Sequence, residues 1–356
     1  MASPFSGVDE ERAKWRPRDG EKRAEHSSGA AEDDVLSRVV TRIAGFVAGF
    51  HRQRALGIVG FLGWIANGLG SDPSQVRVAT YNLENYVIEA TASRTPKSEE
   101  SKAKVVEILV AAKPDVLAIQ EIGPRPALMD LQSRLHAAGL DLPHFEHAPG
   151  FDTNVFVGVL SRYPIVRRSS HTNENFLLHG RRFRVSRAFA EVDIQVNPRY
   201  RFTLLTAHLK SKRQSVSADE SDLREQEARL LREKIDQRLR AQPAANLVVA
   251  GDLNDSKDSR TVRSILGVGR LGLVDTRPAE LHGDSLPAPG PPLTRRNVTW
   301  THFYAKEDSY SRIDYLLVSQ GMAREWVPER TWIQTAPHWG MASDHRLLVA
   351  TFSTQE

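Results

Sequence analysis

Five places along the chain set carboxylates, amides or imidazoles at the end of a short apolar run: Asn82 with Glu84, Gln120 with Glu121, His208, Asp252 with Asn254, and Asp344 with His345. The stretch from Asn246 to Asp255, Asn-Leu-Val-Val-Ala-Gly-Asp-Leu-Asn-Asp, has the pattern in its sharpest form. Its apolar residues, two of them β-branched, read as a short buried strand. Gly251 breaks the run, because a residue without Cβ lets the backbone turn sharply or approach a ligand closely. Asp252, Asn254 and Asp255 follow, with Leu253 turned the opposite way. Oxygens fixed at a strand end suit a hard cation and a phosphate, since Mg²⁺ takes few carboxylates, keeps waters and accepts substrate oxygens. A plain turn is the competing reading of these ten residues alone, because Asp and Asn favour turns. The four companion clusters favour the chemistry. Carboxylates and amide oxygens hold a divalent cation, histidines donate to phosphoryl oxygens, and neither a thiol nor a serine elbow competes as nucleophile.

Strands and helices must bring these ends together. Val76 to Tyr81 reads as a strand, Ser98 to Ala112 as a helix with Val105, Val106 and Leu109 on one face, and Val116 to Ile119 as the next strand. Strand, helix and strand with acids at strand ends describe a layered domain of sheets and helices. Further strands are expected at Val155 to Leu160, Arg184 to Val196, which carries Arg187 near its start, Arg201 to Leu209, and Leu347 to Phe352. Ala218 to Leu239 is a charged amphipathic helix with Leu223, Leu230, Leu231 and Ile235 facing in. Val298 to Trp300 and Ile313 to Val318 bracket a hairpin-like segment, with Trp300 read as core packing beneath it, and Pro278 to Pro292 is a surface loop.

A chain of 356 residues can bury one large core or two ordinary ones. Its net charge of +4 leans mildly towards anionic partners. The absence of cysteine excludes disulfides, thiolate metal sites and a cysteine nucleophile.

The beginning of the chain differs in kind. Residues 1–34 mix basic and acidic side chains with few apolar anchors and read as disordered. Within residues 35–75, Val35 to Phe50 has an amphipathic pattern, and the uncharged, glycine-rich run Ala55 to Gly70 falls short of the roughly 20 residues that span a bilayer. Three readings are open for that run: a secretory signal with a downstream start, a membrane-associating hairpin, or a hydrophobic helix packed on the main domain, which occupies 76–356. Secretion or membrane association is expected ahead of a cytoplasmic location, with residues 35–70 as the membrane contact and no obligate protein partner implied.

Tyr81-Asn82-Leu83-Glu84, Ile119-Gln120-Glu121, Thr206-Ala207-His208-Leu209-Lys210, Gly251-Asp252-Leu253-Asn254, Arg312-Ile313-Asp314-Tyr315 and Ser343-Asp344-His345 follow one another along the chain. In this order they resemble the endonuclease/exonuclease/phosphatase superfamily, the fold of pancreatic-type deoxyribonuclease, from about Val76 to Phe352. The resemblance implies an α+β fold, a four-layered α/β/β/α sandwich of two mixed β-sheets flanked by helices. It implies cleavage of phosphate esters dependent on Mg²⁺ (or Mn²⁺). Carried over by position, Glu121 is the main metal ligand, with Asn82 beside it and Asp344 a second contributor. Asp252 would orient or deprotonate the attacking water, Asn254 would hold that water or a phosphoryl oxygen, and His345 would stabilise the transition state. Asp314 would pair with His345 and fix its tautomer. His208 matches the histidine of the deoxyribonuclease and phosphatase branches, and Arg187 falls where several branches place a phosphate-contacting cation. Lys210 is the other candidate for substrate phosphate, and Glu84 is either a further metal group or a solvated loop acid.

Two branches fit poorly. Inositol polyphosphate 5-phosphatases follow Gly-Asp-x-Asn with an aromatic-arginine pair and carry a Pro-Ala-Trp-x-Asp-Arg segment, where this chain has Asp255-Ser256 and Ser311-Arg312-Ile313-Asp314. Apurinic-site endonucleases have Gln-Glu-Thr-Lys, where this chain has Gln120-Glu121-Ile122-Gly123. The expectation is a metal-dependent phosphodiesterase acting on nucleic acid. A sphingomyelinase-like lipid phosphodiesterase or phosphatase is the enzymatic alternative, and a catalytically dead binding scaffold the non-enzymatic one.

Overall fold

The computed structural model describes residues 74–91, 93–280 and 298–354. The expectations for residues 1–34 and for nearly all of 35–75 lie outside the described residues, as does most of the loop from Pro278 to Pro292. Among the described residues, no helix is long and apolar enough to cross a membrane.

In chain order the strands are β1 (Gln75–Tyr86), β2 (Val116–Ile122), β3 (His144–Ala148), β4 (Phe156–Ser161), β5 (Ile165–Arg168), β6 (Asn175–Leu178), β7 (Arg181–Arg184), β8 (Ala190–Gln195), β9 (Arg201–His208), β10 (Leu247–Asp252), β11 (Val274–Asp275), β12 (His302–Tyr304), β13 (Ser309–Ser311), β14 (Asp314–Val318), β15 (Trp326–Ile333) and β16 (Leu348–Ser353). The α-helices are α1 (Glu99–Ala112), α2 (Arg125–Ala137), α3 (Glu220–Ala241), α4 (Arg260–Leu266) and α5 (Gln320–Ala323). Sheet one runs β15-β16-β1-β2-β4-β3 and sheet two β11-β14-β10-β9-β8-β5. β12–β13 and β6–β7 are separate hairpins.

Each sheet buries both faces. Val76, Val78, Val116, Ala118, Leu348 and Ala350 of sheet one meet Val192, Ile194, Val248, Ala250, Leu316 and Val318 of sheet two in one core. The residues between them point the other way, as the two-residue period of a strand requires. Leu117, Ile119 and Val349 pack on Val105, Leu109, Leu128 and Leu131 of α1 and α2. Leu205, Val249 and Leu317 pack on Leu231 and Ile235 of α3 and Val262 and Ile265 of α4. The result is the four-layered α/β/β/α sandwich of two mixed sheets. Burial of one such Leu or Ile contributes about 1.5–3 kcal/mol, which makes the core a stiff frame for what stands at its edge.

Two crossovers set the site. α1, capped by the Ser98 hydroxyl accepting from Ser101 N at 3.1 Å, carries the chain from β1 to a parallel β2. α3, capped by Asp219, does the same from β9 to β10. In each case, two strands end at the same edge.

The structure departs from the sequence reading at the expected strand from Arg184 to Val196. That segment is split, because Val185 N bonds to Glu174 O and Phe189 to His171, partners on a different part of the chain. The residues from Arg187 to Glu191 are all buried while the chain changes neighbours, so Arg187 sits on a connecting loop and not on a strand. β1 also continues beyond Tyr81 to Tyr86, so Asn82 is within the strand, opposite Gln120.

Candidate active site

The register of sheet two lines up three functional residues. Asp252 is paired with His208 on β9 and with Asp314 on β14, so the three stand side by side at one sheet edge. Gly251 makes that packing possible in a different manner from the one the sequence suggests. Its φ is +132°, and a Cβ there would lie 2.0 Å from the Ala207 carbonyl oxygen. The close approach is therefore to the neighbouring strand, not to a ligand.

Asp252 is buried and held on all sides. Its Oδ1 accepts from Asn254 N at 2.8 Å, and its Oδ2 accepts from Asn82 Nδ2 at 3.0 Å and Asn254 Nδ2 at 3.2 Å. The Asn82 bond crosses from sheet one to sheet two. Asp314 Oδ2 accepts from Thr301 Oγ1 at 2.7 Å and from His345 Nδ1 at 2.8 Å. That bond leaves His345 Nε2 aimed at the cleft, 3.8 Å from Asp252 Oδ2. Ser343 ties His345 down from behind, accepting from His345 N at 3.0 Å while donating to Asn82 O at 2.7 Å.

Sheet one delivers its acids by a different device. Between the pairs Asn82–Gln120 and Tyr86–Ile122 the ladder breaks, with three residues of β1 opposite one of β2. A bulge of this kind re-aims side chains. Glu84, Asn85 and Glu121 take φ values of +46°, +58° and +58°, and Asn254 on the other sheet takes +53°. Left-handed backbone costs a non-glycine residue on the order of 1–3 kcal/mol, and such strain gathers at functional sites. Glu121 Oε2 accepts from Asn85 N at 2.9 Å and lies 3.8 Å from Arg94 Nη1. Glu84 Oε2 accepts from Asp344 N at 3.1 Å.

Burial and charge shift these groups apart. Burial, and then the neighbouring Asp314 charge, push Asp252 up to about 7 despite the opposing His345, Asn254 and Asn82. Burial pulls His345 down, but the charges of Asp314 and Asp252, the Asp314 hydrogen bond and Asp344 outweigh it and lift the imidazole to about 10. His208 moves the other way. Burial, then the charges of Arg187, His345 and Arg94, hold it well below the usual histidine range. Its Nε2 lies 3.5 Å from Asp252 Oδ2, so this contact joins a neutral ring to a carboxylate and is no ion pair. Glu84 is raised, by burial first and then by the charge of Asp344.

A cavity of about 600 Å³ opens here, lined by Glu84, Asn85, Arg94, Glu121, Arg187, Lys210 and Asp344 among others. Three carboxylates on one wall, with the buried Asn85 Oδ1 lacking any hydrogen-bond partner, form an all-oxygen donor set that fits a hard divalent cation. Asn82 Oδ1 already accepts from Glu84 N at 3.0 Å, so only its second lone pair remains for a cation. Asp252, Asp314 and His345 are also close enough to share an ion, but their atoms are engaged with Asn82, Asn254, Thr301 and one another. That group is arranged to hold a proton.

Of the residues singled out in the sequence, Glu84, Glu121, Arg187, Lys210 and Asp344 line this cavity, and Asn82, His208, Asp252, Asn254, Asp314 and His345 form the buried group beside it, with Lys210 and Asn254 engaged in unexpected ways. Lys210 lines the cavity, but its ammonium donates to Ser211 O at 3.0 Å and Arg213 O at 2.8 Å, within its own loop. Asn254 turns its amide nitrogen to Leu209 O at 3.0 Å and Asp252, bracing that carboxylate. Trp300 is half-buried and not in the core, lying under the Arg346 guanidinium at 4.0 Å and against Tyr310 and Trp339. Thr301, Arg94 and Glu227 went unrecognised. Glu227 accepts from Lys210 N at 2.6 Å and Ser186 N at 3.3 Å, joining the loops that carry Lys210 and Arg187. It was visible as a carboxylate four residues from both Leu223 and Leu231 on the inward face of its helix. Arg94, in a loop far from any motif, carried no signal.

The four-layered fold and this cleft define a phosphate-ester hydrolase. The chain matches the family model of the endonuclease/exonuclease/phosphatase family over residues 79–345 and belongs to that family. Its members are divalent-metal-dependent hydrolases of phosphate ester bonds, and this chain is one of them. No curated protein matches it. Among solved structures, it is similar to truncated TDP2 of Caenorhabditis elegans, at 16% identity and a TM-score of 0.52 over 78% of this chain and 97% of that one. The human Nocturnin catalytic domain with bound sulfate gives 15% identity and 0.52 over 79% and 95%. Sphingomyelinase C from Streptomyces griseocarneus gives 19% and 0.50 over 78% and 99%.

Proposed function

We propose that the protein is a Mg²⁺- or Mn²⁺-dependent phosphodiesterase that hydrolyses nucleic acid by in-line attack of water. The observation that carries this reading is the pairing of an Asp252 carboxylate near neutrality with a protonated His345, facing each other at 3.8 Å beside the three-carboxylate wall. Glu121, Glu84 and Asp344 would hold the cation, with Asn82 at its margin. When bound, the cation polarises a phosphoryl oxygen and shields the charge that develops on it. Asp252 takes the proton of the attacking water, and Asn82 and Asn254 keep its carboxylate pointed at that water. His345 donates from Nε2 to the phosphoryl oxygen on which charge grows, and Asp314 keeps its Nδ1 proton in place. His208, neutral, packs beside Asp252 with its Nε2 3.5 Å from Oδ2 and shapes the site without adding charge.

Nucleic acid is favoured over a lipid by the cationic side of the cleft. Arg94, Arg187 and Arg213 line the 600 Å³ cavity, and Arg94 and Arg213 continue into an adjoining one of about 680 Å³ with Lys97. A polyanionic backbone extending past the scissile phosphate would meet them in turn. The test is hydrolysis of plasmid DNA, sphingomyelin and bis-p-nitrophenyl phosphate with Mg²⁺, each with and without chelator. Chelator-sensitive cleavage of DNA and the small diester is expected. Cleavage of sphingomyelin alone would overturn the substrate, and no cleavage of any would overturn the activity.

A further inference from the structure

Beside His345 stands a second imidazole. His302 on β12 faces it with ring centroids 4.6 Å apart, and the two residues are joined by an antiparallel backbone bridge. His302 Nδ1 lies 3.4 Å from Ser311 Oγ across the hairpin, and its Nε2 lies 3.6 Å from Asp344 Oδ2. His345 repeats the arrangement, with Nδ1 on Asp314 at 2.8 Å and Nε2 3.8 Å from Asp344 Oδ1. Each ring thus has its δ nitrogen beside an oxygen and its ε nitrogen turned to the same carboxylate. Ligand atoms of His302, Asp344 and His345 all lie within 4.8 Å of one another.

The donor chemistry differs from that of the neighbouring wall. Mg²⁺ seeks oxygen, whereas two imidazole nitrogens and a carboxylate suit a borderline ion such as Zn²⁺ and leave positions open for solvent. Metal–ligand bonds of about 2.0–2.1 Å put ligand atoms about 3.4 Å apart in a tetrahedron; the 3.6 and 3.8 Å contacts reach the two different oxygens of Asp344, so the carboxylate must turn for one ion to meet both imidazoles. An oxygen partner behind a ligating imidazole is the support that fixes its orientation, and Asp314 stands in that position for His345. The Asp344 side chain is 39% exposed and that of His302 17%, so an ion has a route in.

We propose that His302, Asp344 and His345 form a transition-metal site that shares Asp344 with the wall of Glu84 and Glu121 but takes its other two ligands from imidazoles, and that filling it inhibits hydrolysis by taking His345 Nε2 from the substrate. The inhibitory half rests on the role proposed above for His345; the binding half does not. As the ion arrives, the Nε2 proton of His345 leaves to solvent, and no other bond is made or broken in the protein.

Co²⁺ reports binding by its visible ligand-field absorption, so the full chain is titrated with Co²⁺ at saturating Mg²⁺, and Zn²⁺ affinity follows by competition. Wild-type protein is expected to develop the intense band of a low-coordinate nitrogen-containing site. His302→Ala should weaken binding at least tenfold, with His302→Asn as a second variant that retains a polar side chain should the first not fold. In the hydrolysis assay without Zn²⁺ both variants should match wild type, and their Zn²⁺ inhibition curves should shift by the same factor as binding. Unchanged affinity in both variants, or the weak spectrum of an all-oxygen octahedral site in wild type, would overturn the site. Zn²⁺ binding without loss of hydrolysis would overturn the inhibition. A chain inactive towards every diester leaves the spectroscopic result to decide the site, which separates this failure from failure of the proposed activity.

Discussion

The two sheets meet at one edge but furnish it by opposite means. Sheet two presents His208, Asp252 and Asp314 in plain register on adjacent strands, all of them buried. Sheet one presents Glu84 and Glu121 from a bulge with left-handed backbone, with Asp344 from the loop before β16, and these acids stand on a cavity wall. Asp252 and Asp314 accept from neighbouring side chains within 3.2 Å inside the protein, whereas Glu121 and Glu84 accept from backbone N–H groups at 2.9 and 3.1 Å, with the basic side chains of Arg94 and Lys97 3.8 and 4.0 Å away. Proton transfer requires fixed geometry at hydrogen-bond distance, and regular pairing supplies it. A cation site requires negative charge that its own protein has not neutralised, and a bulge that turns acids out of the ladder supplies that.

If labour is divided in this way, the largest effect belongs to sheet two and its facing histidine. Asp252→Asn or His345→Ala should lower kcat by about three orders of magnitude with melting behaviour unchanged, because general-base help and charge stabilisation each contribute roughly 10²- to 10³-fold. Rates near wild type in either variant would remove these residues from the chemistry. A substitution on sheet one should act through the cation instead. Glu121→Gln is expected to raise the divalent concentration needed for half-maximal rate by at least about tenfold, with much of the rate recovered at high metal. An unchanged metal requirement would show that the wall is not the cation site.

The comparison sharpens in the pH dependence. Asp252 acts as carboxylate and titrates at about 7, so the rate should climb as pH rises through that value. His345 acts as imidazolium and titrates at about 10, so the rate should fall above it. Asp314 raises both groups, since its charge opposes ionisation of Asp252 and favours protonation of His345. Asp314→Asn should therefore move both limbs of the bell to lower pH, by about one unit for a charge at this distance. Limbs that stayed in place, or moved apart, would contradict the shared role of Asp314.

How much of this was legible in the sequence follows the same division. Sheet two was readable: Leu247 to Ala250 is a run of apolar residues ended by Gly251, and Asp252 and Asp314 lie at the ends of strands whose composition is plain. The pairing of Asp314 with His345 was expected and occurs at 2.8 Å. The bulge on sheet one was not readable, because Leu83 to Asn85 looks like the loop after a strand; only the return to pairing at Tyr86 reveals it as part of one. Arg187 was located at the cleft but assigned to a strand, since alternation cannot register that a chain has changed partners. Supports such as Thr301 and Ser343 act through a single hydroxyl each, and nothing local distinguishes such a hydroxyl from any other.

The smallest effect tests the contact between the sheets. Gln120 is fully buried, accepts from Thr80 Oγ1 at 3.2 Å and donates across the sandwich to Thr206 Oγ1 at 3.0 Å. It lies next to Glu121 on β2, and Thr206 lies two residues before His208 on β9, so this bond couples the strand of the cation wall to the strand of the acid–base group. Thr206→Val keeps the shape and leaves one Gln120 amide hydrogen without a partner, a loss of about 1–3 kcal/mol. Because the packed frame rather than this one bond fixes the register, Tm should drop by a few degrees, about 2–4 °C per kcal/mol for a domain of roughly this size, while kcat/KM changes less than about threefold. A large fall in kcat/KM at the same small cost in Tm would mean that the bond itself aligns the two sheets, and that the division of labour depends on a single buried amide.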